Sequence, residues 1–75
     1  MIEYAIMIQT FDGTVIQELY FSRMVDWGAN FEYLTLNKPY LRVSNWALIQ
    51  GEWKLMSGYP SCDKKLSVPN SIERV

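Results

Sequence analysis

The chain alternates apolar and polar positions in short runs broken by turn residues, a pattern that predicts strands joined into hairpins. The first pair of runs is Glu3 to Phe11 and Thr14 to Phe21, around Asp12-Gly13. Asp-Gly between apolar-rich runs signals a hairpin, since a two-residue type I′ loop needs positive φ at both central positions. That loop pairs Thr10 with Val15, Ile8 with Gln17, Ile6 with Leu19 and Tyr4 with Phe21. Directly opposite residues share a face, so one face of this hairpin is almost wholly apolar. The other face, with Ala5, Met7, Gln9, Ile16, Glu18 and Tyr20, is mixed.

Ser22 to Asn30 interrupts the alternation. Ser22 is placed to cap one helical turn over Arg23-Met24-Val25-Asp26, ended by Gly28, and a loop with a 3₁₀ turn fits as well. A second hairpin is expected from Phe31 to Leu36 and Tyr40 to Ser44, around Asn37-Lys38-Pro39. It sets Leu36 against Leu41 and Leu34 against Val43, with Tyr33, Thr35, Tyr40 and Arg42 outward. The third hairpin joins Trp46–Ile49 to Glu52–Met56 through Gln50-Gly51, pairing Leu48 with Trp53 and Trp46 with Leu55. An exposed loop is expected over 57–65, then a last strand and turn over 66–75.

The expected fold is therefore all-β, one domain over 1–75 with five to seven short strands. A small antiparallel barrel or strongly curled sheet of SH3-like or Sm-like topology fits that order. The alternative is α+β, with one short helix near 22–28 packed on the sheet.

Composition narrows the chemistry. The 75 residues are 49% hydrophobic and 15% aromatic, enough for a dense core in a domain whose size leaves little stability in reserve. The net charge of −1 shows neither the basic surplus of a generic phosphate binder nor the acidity of a DNA mimic. Glu3 sits where a secretory signal would be basic, and no apolar run approaches a membrane span. A soluble, cytoplasmic chain that is complete as a small reading frame is expected, with no membrane contact.

Histidine is absent and Cys62 is the lone cysteine. Histidine-based triads and zinc sites are thereby excluded within one chain, and an internal disulfide is excluded too. The eight carboxylates are dispersed and the four glycines never cluster, so no catalytic pair, P-loop or dinucleotide fingerprint is legible. Lys64 and Lys65 near Cys62 would favour its thiolate, but nothing supplies an orienting base. No catalytic residue, metal or cofactor is expected.

The aromatic residues carry the functional expectation. Tyr33 and Tyr40 face outward beside Arg42, Trp27 and Phe31 flank the preceding loop, and Lys54 lies outward on the third hairpin. Three readings stay open. The rings belong to the core, they form a protein-binding surface, or they stack single-stranded bases beside Arg42 and Lys54. The leading expectation is a non-enzymatic module binding a larger protein through Trp27, Phe31, Tyr33, Tyr40, Arg42 and Lys54, as adaptor, regulator or inhibitor. A nucleic-acid-binding barrel using an aromatic and basic face is the alternative. Exposed sheet edges make homodimerisation a further expectation.

Overall fold

The computed structural model describes residues 2–58 and Leu66. Among them the chain forms strands β1 (Tyr4–Gln9) and β2 (Val15–Phe21), helix α1 (Met24–Asn37), and strands β3 (Arg42–Ile49) and β4 (Glu52–Ser57). The strands make one open antiparallel sheet in the order β2-β1-β3-β4, and α1 packs on one face. This corrects the barrel: the sheet does not close, it has four strands, and a 14-residue helix stands where a hairpin was expected.

The first hairpin keeps the expected register along its body, with Tyr4 opposite Phe21, Ile6 opposite Leu19 and Ile8 opposite Gln17. Its loop differs. Gly13 N–H donates to the Thr10 carbonyl at 3.0 Å, and Gly13 takes φ +96°. The loop thus holds three residues, Phe11 to Gly13, with glycine supplying the left-handed position, and a bulge sets Gln9 opposite Val15. The two-residue primed turn occurs instead at Gln50-Gly51, where φ is +52° and +81°. There Trp46 opposes Leu55 and Leu48 opposes Trp53, as expected from the alternation.

The second expected hairpin does not form. Its first run lies in α1, because Trp27, Phe31 and Leu34 recur at i, i+4 and i+7 and all reach the sheet. A helix satisfies its own backbone while docking that stripe, which an isolated strand cannot do. Arg23, not Ser22, is the N-cap residue, and its side chain makes no capping bond. The helix stops before Lys38-Pro39, since proline disfavours helical geometry in the residue before it. Leu34 and Val43, expected to meet across two strands, still share one core cluster, now with the helix laid over the strand.

Both faces of the central strands β1 and β3 are buried. On the helix side, Ile6, Ile8, Leu34 and Val43 form the cluster, joined by Leu19, Phe21, Trp27, Phe31 and Leu41. On the far side, Ala5, Met7, Trp46 and Leu66 cluster, with Tyr20 and Trp53 packed against them. Tyr20 and Trp53 stand on the two edge strands, yet their rings lie 5.8 Å apart, so they lean toward each other across this face. At the end of β4, Gly58 (φ +80°) rests on the Val43 carbonyl where a Cβ has no room. The loop and final strand expected over 57–65 and 66–75 lie outside the described residues apart from three positions. Ser57 ends β4, Gly58 follows it, and Leu66 is buried. Cys62 also lies outside them.

Candidate interaction surface

α1 is apolar on two sides. Trp27, Phe31 and Leu34 face the sheet, and Trp27 stacks on Tyr4 at 4.6 Å while its indole N–H donates to the Ala5 carbonyl at 3.0 Å. At about 100° per residue, Val25, Ala29, Tyr33 and Leu36 fall on the opposite side. They are left to solvent: Val25 is 70% exposed, Tyr33 58% and Leu36 72%. Tyr40, just past the helix end, is 60% exposed. Glu32 breaks the stripe, and Asp26 at its N-terminal end pairs with Arg23 at 3.9 Å, both side chains exposed.

The six residues expected to form one site divide among four places. Tyr33, on the outer side of α1, and Tyr40, just past its end, are exposed. Trp27 and Phe31 are half-buried and serve the helix–sheet core. Arg42 begins β3 on the face away from the helix, its guanidinium 5.4 Å from the centre of the Phe11 ring. Lys54 lies on edge strand β4, pairing with Glu52 at 3.0 Å in an exposed contact that contributes at most about 1 kcal/mol. No single aromatic and basic platform is assembled from these six. Val25 and Leu36 were missed because their i, i+4, i+8, i+11 spacing with Ala29 and Tyr33 emerges only once 24–37 is read as one helix.

Polar chemistry is sparse. Among the described residues no group of three or more carboxylate or thiol ligands could hold a metal. No described helix is long and apolar enough to cross a membrane. Tyr20 is half-buried, and that desolvation, with the Glu18 carboxylate to which it donates, pushes its phenol well above the usual value. A phenol held this firmly protonated is unsuited to act as a general base near neutral pH. Asp12 is held below the ordinary carboxylate value by the Thr10 hydroxyl and the Thr14 amide, so it stays ionised as a turn lock.

Comparison with known protein families, curated proteins and solved structures returns no match to this chain. The functional reading rests on the geometry above.

Proposed function

We propose that this chain is a non-enzymatic interaction module that binds a larger protein, as adaptor, regulator or inhibitor, through the outer side of α1. The observation that carries this reading is the second apolar stripe of that helix. A helix on a sheet needs one apolar side, and Trp27, Phe31 and Leu34 already provide it. Val25, Tyr33 and Leu36 add apolar surface left mostly to solvent, which favours aggregation unless a partner covers it. Tyr33 and Tyr40 are the aromatic anchors within it, of the type enriched where binding energy concentrates.

The test is affinity capture by the full chain from its native host after nuclease treatment, beside the double variant Tyr33→Ser, Leu36→Ser. The expected result is a protein partner held by the wild type and lost by the variant, with an unchanged thermal midpoint. Equal capture by both, or an unfolded variant, would remove the outer side of α1 as the binding surface. Size exclusion of the same two proteins reports whether a second copy is that partner.

A further inference from the structure

We infer that the chain forms a symmetric dimer in which β2 pairs antiparallel with β2 of a second copy, centred on Leu19. Among the described residues the sheet ends in two open edges, β2 and β4. An open edge offers a row of unmet backbone N–H and C=O groups to another strand, and proteins guard it with lysine, proline or a bulge. Each edge strand here carries a bulge. Ile16 is the extra residue in β2, since Ile8 pairs with Gln17 and Gln9 with Val15. Met56 is the extra residue in β4, since Trp46 pairs with Leu55 and Asn45 with Ser57. The regular stretches that remain are 17–21 and 52–55.

Self-pairing tells the two edges apart. Directly opposite residues of an antiparallel pair share a face, so two identical strands pair symmetrically only about a residue. In β4 that residue is Trp53 or Lys54. About Lys54 two ammonium groups oppose each other, and about Trp53 the Gln50-Gly51 turn cuts the overlap to 52–54. β2 has no lysine, arginine or proline, and 17–21 is symmetric about Leu19, so it pairs along its whole length. Leu19 then opposes Leu19, Gln17 opposes Phe21 and Glu18 opposes Tyr20, and no like charges meet. Glu18 already accepts the phenol of its own Tyr20, and the opposite Tyr20 adds no second charge. A centre on Glu18 would set two carboxylates against each other. In the single chain Gln17 is exposed and 18–21 are half-buried, so a neighbouring strand completes their burial. The occupant is a second copy because pairing through β2 closes the assembly: the joined sheet ends at both sides on β4, guarded by Lys54 and its bulge. Both α1 helices then lie on one side of that sheet, with their outer sides left to the partner proposed above.

Sedimentation velocity of the full chain from micromolar to millimolar concentration is expected to show a reversible shift to the mass of two chains. In a mixture of isotopically labelled and unlabelled chain, isotope-filtered NMR is expected to show contacts between Gln17 of one copy and Phe21 of the other, and between the two Leu19 side chains. A pair of variants then reads the register. Tyr20→Lys and Tyr20→Glu remove the same ring from the far side of the sheet, but opposite Glu18 of the other copy one supplies an attractive charge and the other a repulsive one. Tyr20→Glu should dimerise about tenfold more weakly than Tyr20→Lys. If either variant unfolds, the wild-type contacts decide alone. A monomer at every concentration, contacts between copies through β4 or α1 instead, or equal dimerisation of the two folded variants would each overturn the proposal. Tyr33→Ser, Leu36→Ser should remain dimeric, so the β2 edge and the outer side of α1 can fail separately.

Discussion

Trp46 is 4% exposed, and its indole N–H donates to Ser44 Oγ at 2.9 Å. Ser44, fully buried two residues earlier on the same face, reaches the Met7 carbonyl at 3.4 Å. One hydroxyl thus satisfies the large donor that this face would otherwise bury alone. Ser44→Ala is expected to destabilise by about 1–3 kcal/mol in urea unfolding, because it orphans the indole N–H. In a Trp46→Phe background the same change should cost clearly less, and equal costs would mean the two groups do not interact. Asp12 acts differently, from an exposed turn. Its folded-state pKa lies below the unfolded value, so its contribution is present above the unfolded pKa and is lost as pH falls through the folded one. Asp12→Asn should therefore be less stable than wild type at pH 7, with the gap closing as pH falls through the folded-state pKa in paired urea titrations. The sequence marked Asp12-Gly13 as a turn correctly. It could not show that Asp12 would keep negative φ, bind Thr10 and Thr14, and leave the left-handed position to Gly13 alone.

At the scale of elements, the paired strands were legible and of the helix only its start was: the α+β alternative set a packed helix near 22–28, and α1 begins there but runs on to Asn37 through the run expected as a strand. Period-two alternation in Trp46–Ile49 and Glu52–Met56 is sustained by β-formers, and both the hairpin and its register follow from it. Phe31 to Leu36 alternates as well, with Phe, Tyr and Thr on one side, so a six-residue window reads as strand. The competing 3.6-residue period needs Trp27 and Phe31 in the same window, and Gly28 between them looks like a stop. Gly28 is in fact an ordinary helix-interior position, and a Cβ there meets nothing within 4 Å. Gly28→Ala should then stabilise the protein by about 0.5–1 kcal/mol, since it removes backbone freedom from the unfolded chain and strains nothing folded. Thermal or urea unfolding measures this directly. A destabilised Gly28→Ala would indicate that the segment is the loop suggested by its local sequence.

For the whole molecule, a sheet with apolar residues on both faces has to curl around itself or be covered. The fold does neither alone: α1 covers one face, while on the other Leu66 packs against the Ala5, Met7 and Trp46 cluster. This places the aromatic residues, and it is why the expected site came apart. Trp27 and Phe31 were drawn inward by the helix–sheet contact, and only Tyr33 and Tyr40 stayed out, a division fixed by long-range packing that no local spacing encodes. Two adjacent residues of β1 test this arrangement. Ile6 points to the helix side and Met7 to the far side, and both are fully buried. In a two-layer fold wet on its far side, Met7→Ala would cost little. Here each truncation leaves a cavity in a separate core, and each should cost about 2–5 kcal/mol. Because a domain of this size has a total stability of only about 5–15 kcal/mol, either change alone should lower the urea midpoint sharply. The two sets of side chains lie on opposite sides of the sheet with no shared neighbour, so cavities opened singly should act independently. A well-tolerated Met7→Ala beside a disruptive Ile6→Ala would mean that the far face is solvated, and that Met7, Trp46 and Trp53 are then the larger binding surface.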